Sequence, residues 1–346
     1  MGREMAGRVV PVIDIGDFEE GSRFEKAALT NAVDEACRSI GFLVISGHGI
    51  PRDVIDAALI TGRTFFDLPE VEKRQSLSRG KLQILGYTAP RTRNLAATLG
   101  EDNPPDLREA FTVGPGDQFA KEYFGLPGAS DLYAPNIWPE EPENFSAAHL
   151  QLYSAMEKLA ARMMRIFAMA LSLPEAYFAD KIDQHFSLLG TFNYPALYGP
   201  ARSGQLRCGA HTDFGSLTLL AMGDEPLDDA PSGLQVFAPD GTWEDIRVGP
   251  EQLVVNIGDM MARWTNDLWT STLHRVVVPP TMGASERRQS IGYFLHPNYD
   301  ADVACLRTCI SPDNPARYLP VSAGAVMFKK LNSRIVSAQN GDKHDN

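Results

Sequence analysis

The chain is 346 residues long, 44% hydrophobic and 22% charged, a composition typical of a globular protein with a large core. Its formal net charge of -12 argues against a surface that tracks nucleic-acid phosphates, and no stretch approaches the roughly 18 apolar residues of a membrane span. Four scattered cysteines are too few for a disulfide framework. We therefore expect a soluble, cytoplasmic protein that binds neither nucleic acid nor membranes and has no obligate protein partner.

The N-terminal half alternates short strands with helices and then enters a long, loop-rich stretch. Residues 80–144 are rich in Gly, Pro and short polar runs, which is typical of surface loops that carry specificity. In chain order, the predicted elements are a strand at 9–15, a helix at 23–39, a strand at 41–46, a helix at 52–68 and a short strand at 106–111.

The C-terminal half begins with the clearest helix of the sequence and continues as a series of strands. Residues 149–173 are rich in Ala, Leu and Met and are apolar on a broad face, which predicts a helix. Short apolar runs punctuated by Gly, Pro and Asp follow, and strands at such spacing indicate a sandwich or barrel. These strands are predicted at 188–194, 216–222, 233–238, 253–257, 274–278 and 289–295.

A His-x-Asp pair and a distant histidine form a candidate metal site. His211 and Asp213 are two residues apart, so a strand would place both side chains on one face. Much later, His274 opens a run of valines. Two imidazoles and one carboxylate form the facial triad of iron(II) oxygenases, which leaves coordination positions open for cosubstrate and dioxygen. Asp259 and Asp267 flank the approach to His274 and are candidates for supporting the metal ligands.

An Arg-x-Ser pair on the last predicted strand forms a candidate carboxylate site. Arg288 and Ser290 lie two residues apart, and we expect their strand to form a hairpin with the strand that follows His274. A guanidinium fork beside a hydroxyl can bind a carboxylate through two parallel hydrogen bonds. The hydroxyl of Tyr194 would complete this anchor, and the same strand parity turns His296 toward the site.

The order His-x-Asp, distant His and Arg-x-Ser resembles the isopenicillin N synthase-like family of 2-oxoglutarate/Fe(II)-dependent dioxygenases. The opening Val-Pro-Val-Ile-Asp, the run Gly-Phe-Leu-Val-Ile-Ser-Gly-His-Gly-Ile from Gly41 and Phe-Phe-Asp-Leu-Pro from Phe65 resemble the N-terminal region of that family. Val-Val-Asn-Ile-Gly-Asp from Val254 resembles its link between the two iron histidines. The resemblance extends over nearly the whole chain.

The resemblance implies a fold and a division of the chain. The fold is a mostly β core with flanking helices, a double-stranded β-helix or jelly roll of the cupin-like kind. The division is an N-terminal dioxygenase region at 1–145, a jelly-roll catalytic domain at 146–336 and a frayed tail at 337–346.

The resemblance also implies roles for individual residues. The iron(II) ligands are expected to be His211, Asp213 and His274. The distal carboxylate of 2-oxoglutarate is expected to bind Arg288, Ser290 and Tyr194. Contacts with the substrate are expected from His296, by its inward parity, and from Tyr87 and Phe111, which lie where relatives have substrate-contacting loops.

The expected activity is oxidation of a small organic molecule by dioxygen, coupled to decarboxylation of 2-oxoglutarate to succinate and carbon dioxide. Hydroxylation is the default outcome, desaturation and ring closure stay open, and family habit indicates specialised metabolism. One alternative is an iron(II) oxidase of the same fold that binds the carboxylate of its own substrate at Arg288 and Ser290 and needs no 2-oxoglutarate. Another is a jelly-roll binding protein without catalytic activity.

Overall fold

The computed structural model describes residues 9–79, 82–90, 92, 104–116, 125–126, 128–196, 205–223, 232–249, 251–277 and 287–331. In these ranges the chain forms two facing β-sheets with helices packed on the outer side of the larger one. No helix in the described ranges is both long enough and apolar enough to span a bilayer. The predicted tail at 337–346 lies outside the described residues.

The strands build one large sheet and one small sheet. The eight-stranded main sheet has the order β1-β2-β10-β7-β12-β5-β4-β3, the four-stranded minor sheet has the order β6-β11-β8-β9, and β13 pairs with β14. The bounds in chain order are β1 (Val12–Asp14), β2 (Phe42–Ser46), β3 (Gly86–Thr88), β4 (Glu109–Val113), β5 (Leu188–Tyr194), β6 (Cys208–His211), β7 (Leu217–Met222), β8 (Leu234–Phe237), β9 (Trp243–Asp245), β10 (Leu253–Ile257), β11 (His274–Val276), β12 (Arg288–Leu295), β13 (Asp302–Val303) and β14 (Val321–Ser322).

Helices cover the outer side of the main sheet. Residues 323–331 form a further helical segment near the end of the described chain. The labelled helices are α1 (Arg23–Ser39), α2 (Arg52–Asp67), α3 (Glu70–Lys73), α4 (Ala129–Leu132), α5 (Phe145–Ala170) and α6 (Asp259–Trp264). Short 3₁₀ turns lie at Gly16–Phe18, Arg74–Ser76, Ala179–Lys181 and Arg307–Cys309.

The main sheet separates two apolar clusters. The larger cluster lies between this sheet and the helices, and it includes Ile291 and Tyr293 of β12. The smaller cluster lies between the two sheets and includes Val254 of the main sheet and Val236 of the minor sheet. Side chains alternate along a strand. The β12 residues next to Ile291 and Tyr293 in sequence therefore point the other way, toward the space between the sheets. We call this space the chamber.

A tight approach fixes the entry into β2. The helix α1 begins with a capping box between Ser22 and Glu25 and ends at Ser39, shortly before Gly41. A Cβ on Gly41 would lie 1.9 Å from the backbone oxygen of Thr270, and its φ of +67° is in the left-handed region. Only glycine fits there, so the chain can turn directly into β2. The first residue of that strand, Phe42, packs edge-on against His274 with ring centroids 5.4 Å apart.

The predicted hairpin between the strand after His274 and the strand of Arg288 is wrong. β11 pairs with β6 and β8 in the minor sheet, whereas β12 pairs with β5 and β7 in the main sheet. In a jelly roll, consecutive strands cross from one sheet to the other, so neighbours in sequence need not be neighbours in space. The mostly β jelly roll with flanking helices is confirmed, as two facing sheets and not as a closed barrel.

The main sheet runs across the predicted boundary near residue 145. β1, β2, β3 and β4 come from the predicted N-terminal region and form both edges of the sheet. The division at 145 stays a prediction about the organisation of the chain. α5 begins at Phe145, four residues before its predicted start, and His149 therefore lies in the second helical turn.

Acid is expected to destabilise the fold through His149. This buried imidazole contacts the Phe145 carbonyl at 2.8 Å and the Thr191 hydroxyl at 3.0 Å, and burial lowers its pKa from 6.5 to about 4. Because the pKa of His149 is lower in the folded protein, the unfolded chain takes up the proton first as the pH falls. The stabilisation from His149 is therefore complete above pH 6.5 and is lost below it. The His149 contribution to the unfolding free energy should drop by about 2 kcal/mol between about pH 7 and about pH 5.

Urea unfolding of wild type and His149→Gln across this range provides the measurement. The variant is expected to be less stable near neutral pH but to lose less stability on acidification, by about 2 kcal/mol. Parallel pH profiles for the two proteins would contradict the assignment.

Candidate metal centre and cosubstrate site

Two neighbouring strands of the minor sheet bring the predicted histidine ligands side by side. His274 is the first residue of β11 and pairs directly with His211, the last residue of β6. Their ring centroids lie 4.3 Å apart. Because β6 ends at His211, Asp213 lies just beyond the strand, and strand alternation alone does not account for its position. Its backbone carbonyl instead accepts a hydrogen bond from the Asp259 amide at 2.8 Å, which holds the turn.

The ligand atoms of these residues point at a common centre. His211 Nδ1 donates to the Gly209 carbonyl at 2.8 Å and His274 Nδ1 donates to the Thr272 carbonyl at 3.1 Å. These bonds fix the tautomer and leave both Nε2 atoms as acceptors. Asp213 Oδ1 lies 3.8 Å from the first Nε2 and 3.9 Å from the second. Among the described residues, this is the one group of three His, Cys, Asp or Glu side chains arranged to hold a metal ion.

The dimensions of the group fit a metal with octahedral coordination. All three ligand atoms lie within 4.8 Å of one another. Adjacent corners of an octahedron with bonds of about 2.1 Å are about 3 Å apart, so the ligands need to move inward by less than about 1 Å. Burial and then the neighbouring His274 imidazole lower the pKa of His211 well below its usual value, so the ring is neutral and able to coordinate near neutral pH.

Two buried side chains hold the carboxylate of Asp213. Its Oδ2 accepts hydrogen bonds from the Thr218 hydroxyl at 2.6 Å and the Asn256 amide at 2.8 Å, which leaves Oδ1 toward the histidines. Burial by itself would raise the pKa of Asp213, but the two imidazoles, which attract the carboxylate whenever they carry a proton, and these two hydrogen bonds outweigh it and lower the pKa. The carboxylate is thus ionised and oriented before a metal binds.

Removal of the Asn256 amide is expected to weaken metal binding. Groups that orient a metal ligand typically contribute about 10- to 100-fold to affinity, so Asn256→Ala should raise the dissociation constant for Fe(II) or Zn(II) by that factor. Competition with a chromophoric chelator gives the constant. Gln235→Ala is a suitable control, because Gln235 bonds to Asp245 and Arg275 and contacts no metal ligand. Equal constants for Asn256→Ala and wild type would contradict the role of Asn256.

The predicted cosubstrate residues lie side by side on the chamber face of the main sheet. Arg288 of β12 pairs with Tyr194 of β5. Ser290, two residues along, lies between Phe192 of β5 and Met222 of β7. All of these side chains except that of Phe192 are buried. The structure therefore brings the three predicted residues together in one patch.

The Arg288 guanidinium is held but not saturated. Nε donates to the Ser232 carbonyl at 3.1 Å, Nη2 contacts the sulfur of Met222 at 3.1 Å, and Cζ lies 5.0 Å from the centroid of the Tyr194 ring. Nη1 is buried without a hydrogen-bond partner among the described residues, and none of their carboxylates pairs with this arginine. A buried cation with an unused donor fits an incoming carboxylate. Neither Ser232 nor Met222 was expected from the sequence.

His296 lies next to the metal centre. Its ring stacks on Phe186 with centroids 5.1 Å apart, and Nδ1 has no hydrogen-bond partner among the described residues. The ring presses against Gly215, where a Cβ would lie 2.8 Å from Nδ1. Burial lowers the pKa of His296 to about 3, so the ring is neutral near neutral pH. Contact of this ring with substrate stays a prediction.

Tyr87 and Phe111 do not reach the site. They pair with each other, Phe111 pairs with Thr191, and Thr191 pairs with Ile291, which places all of them on the helix side of the sheet. Both aromatic rings are fully buried against Phe65. The expected substrate contacts are therefore corrected to core packing, because the pairing register turns these side chains away from the chamber.

The two aspartates expected to support the metal ligands separate in the structure. Asp259 accepts from the Thr212 hydroxyl at 3.3 Å and from Ser271 at 2.6 Å, next to the metal-binding turn. It also forms an ion pair with Lys330 of the last helical segment. Asp267 instead bonds to Arg317 and Tyr318 at the surface. Of these two aspartates, Asp259 contacts the metal-binding turn and Asp267 does not.

Comparison with known proteins identifies the family of this chain. Residues 186–297 match the model of the 2OG-Fe(II) oxygenase superfamily, and residues 10–141 match the model described as non-haem dioxygenase in morphine synthesis N-terminal. Validamycin A dioxygenase from Streptomyces hygroscopicus subsp. limoneus is 30% identical over 93% of this chain and 85% of its own length. The chain belongs to the 2OG-Fe(II) oxygenase superfamily. The proline hydroxylase buaE from Petromyces alliaceus is also 30% identical, over 88% of this chain and 93% of its own.

Solved structures of this superfamily share the fold. A full-length Neurospora crassa protein in complex with alpha-KG and thymine is 28% identical and superposes with a TM-score of 0.80 over 95% of this chain and 98% of its own. JOX2 in complex with 2OG, Fe and JA is 25% identical with a TM-score of 0.72, over 94% of this chain and 88% of its own. The expected family and class, a dioxygenase that uses Fe(II), 2-oxoglutarate and dioxygen, are thereby confirmed.

Proposed function

We propose that this 2OG-Fe(II) oxygenase hydroxylates a small organic molecule with iron(II) bound by His211, Asp213 and His274. Arg288, Ser290 and Tyr194 hold the distal carboxylate of 2-oxoglutarate. The observation that carries the proposal is the pairing of an oriented three-ligand group with a buried arginine whose Nη1 has no partner among the described residues. One part fits a metal with open coordination positions and the other fits a dicarboxylate.

The side chains of this site act by holding and orienting. The Nε2 atoms of the two histidines and Oδ1 of Asp213 would hold the iron(II), which would supply the activation of dioxygen needed to oxidise a C–H bond. Arg288 orients the cosubstrate through its planar fork, and Ser290 and Tyr194 each offer a hydroxyl. The apolar side chains between the sheets exclude water from the chamber.

The choice of hydroxylation and of a small substrate follows the relatives. The relatives include a proline hydroxylase and a validamycin A dioxygenase. Proline and validamycin A are both compounds of modest size. We extend this size class and a place in specialised metabolism to the present chain. A cytoplasmic location and the absence of nucleic-acid, membrane and obligate protein partners stay predictions from the sequence.

A substrate screen tests the proposal. Purified protein is incubated in air with Fe(II), 2-oxoglutarate and a library of small metabolites, and succinate release is recorded for each compound. We expect a compound that raises succinate above the substrate-free rate and gains one oxygen atom by mass spectrometry. Succinate that never exceeds this background in any compound tested, from protein shown to bind metal and 2-oxoglutarate, would count against an oxygenase of small molecules. It would favour the non-catalytic alternative.

A further inference from the structure

The chamber face of β4 begins next to Arg108, whose side chain is 14% exposed and has no role in the proposed function. Ala110 of β4 pairs with Phe192, which pairs in turn with Ser290, so these three residues face the chamber together. Arg108 lies two residues before Ala110, immediately ahead of the strand, and the same alternation directs it to this face. Its Cζ lies 5.0 Å from the centroid of the Phe192 ring.

The charge of Arg108 is only partly compensated. Oδ2 of Asp106 lies 3.9 Å from its Nε, which is longer than a hydrogen bond, and Oδ1 of Asp106 already accepts from the Gly209 amide at 2.9 Å. Among the described residues its other close groups are Tyr194, whose hydroxyl interacts with the guanidinium, and Cys208, whose thiol is neutral because burial raises its pKa to about 12. A guanidinium has five donors, so Arg108 retains capacity to bind an anion.

A cavity opens beside this guanidinium. It lies at the β3–β4 edge of the main sheet, and neither Arg288 nor Ser290 is among the described residues that line it. Its walls combine one charged pair, two threonines and an aromatic ring: Arg108, Asp106, Thr88, Thr112, Phe192, together with Ala89. A ligand in this cavity would therefore meet a cation on one side and an aromatic ring on another.

Two glycines make room for two aromatic rings on this apolar face. A Cβ on Gly190 would lie 2.7 Å from Cζ of Phe192, and a Cβ on Gly292 would lie 3.2 Å from Cζ of Phe294. The absence of these side chains lets both rings lie along their strands, where they meet edge to face with centroids 6.1 Å apart. The rings extend from the neighbourhood of Arg108 across β5 to β12. Such an apolar surface suits an apolar molecular body.

We propose that Arg108 selects the primary substrate by binding its carboxylate, while the apolar body of the substrate lies on Phe192 and Phe294. The inference rests on the proposed function and names the substrate class: a small organic acid with an apolar body. Arg108 is then the specificity-determining cation and Arg288 the cosubstrate cation. Their separate positions let the protein bind two different acids in one chamber.

Binding of matched acids and amides tests this assignment. The probes are phenyl- and indolyl-substituted acetic and propionic acids and the primary amide of each, titrated calorimetrically into Zn(II)-loaded protein with and without 2-oxoglutarate. We expect at least one acid to bind wild type about tenfold more tightly than its amide, since a charge-assisted hydrogen bond is lost in the amide. In Arg108→Gln the preference should disappear, and Arg108→Lys should keep part of it.

The controls separate this inference from the proposed function. Arg38→Gln removes an exposed guanidinium from α1 and should leave every constant unchanged. Arg108→Gln should weaken 2-oxoglutarate binding much less than acid binding, because it leaves Arg288 and Ser290 in place and removes only a neighbour of Tyr194. No acid preferred over its amide, a preference that survives Arg108→Gln, or an equal loss of 2-oxoglutarate binding would each overturn the role of Arg108. Failure of wild type to bind 2-oxoglutarate would count against the proposed function, while the titrations without cosubstrate would still decide on Arg108.

Discussion

Replacement of His274 by alanine is expected to reduce product formation to background in a protein that remains folded. The three ligands fill one face of the metal, and two of them cannot hold it in the same geometry. Loss of a supporting group alone costs about 10- to 100-fold in affinity, so loss of a ligand should weaken iron binding by more than about 100-fold. His211→Ala and Asp213→Ala should behave alike. Metal content after dialysis and product yield provide the measurements.

A second histidine provides the matched control for these variants. His48 is buried in a turn, where its ring accepts from the Ile50 amide at 3.1 Å and contacts the Glu251 carbonyl at 3.0 Å. His48→Gln should retain iron and turnover, even if the protein unfolds at a lower temperature. Full turnover in a properly folded His274→Ala protein would discard the assignment of the metal site.

Arg288→Lys is expected to raise the apparent 2-oxoglutarate constant by roughly 10- to 100-fold. Lysine keeps the charge but loses the planar fork, and hydrogen bonds to charged groups contribute about 1.5–3 kcal/mol. Arg288→Met, which also removes the charge, should have a larger effect. Succinate formation at increasing 2-oxoglutarate concentration gives the constants. Anaerobic affinity for the primary substrate should change much less.

The adjacent arginine is the control for Arg288. Arg287 faces the other side of the sheet, where it donates to Asn193 at 2.5 Å and to Asp67 at 2.6 Å. Arg287→Lys should therefore have little effect on the 2-oxoglutarate constant. Product formed at an undiminished rate without 2-oxoglutarate would favour the oxidase alternative, in which Arg288 binds the primary substrate.

The sequence was sufficient for the parts of the site that depend on local spacing. Arg288 and Ser290 are two apart on one strand, so period-two alternation puts them on one face regardless of which strands flank them. The helices α1 and α2 were predicted to within one residue, because both carry a continuous amphipathic pattern. Spacing of this kind needs no knowledge of the tertiary fold.

Features that depend on long-range pairing could not be predicted in the same way. In the sequence, nothing distinguishes Asn256 from the other residues of a buried strand. The pairing of β10 with β7 places it beside Thr218 and the Asp213 carboxylate. Tyr87 and Phe111 were predicted to contact substrate from loops, but they lie on β3 and β4, and the pairing of these strands turns both to the helix side. A shift of one residue in register reverses the face of every side chain on a strand, and register is set by the partner strand.

Arg108 shows a third limit, which is set by charge compensation. In the sequence it stands between Asp106 and Glu109 and resembles any surface charge cluster. In the structure Glu109 turns to the helix side and pairs with Lys73 at 2.8 Å, whereas Arg108 turns to the chamber. The proposed role of Arg108 therefore depends on which of two neighbouring charged residues faces the chamber. The pairing of β4 with β5 determines this.

Crystals grown anaerobically with Fe(II) and 2-oxoglutarate, measured by anomalous diffraction at the iron edge, would locate both cofactors at once. We predict one iron peak bounded by Nε2 of His211, Oδ1 of Asp213 and Nε2 of His274, with the distal carboxylate of 2-oxoglutarate against Arg288 and Ser290. An iron peak elsewhere, or a cosubstrate whose distal carboxylate lies away from Arg288, would contradict this account of the site.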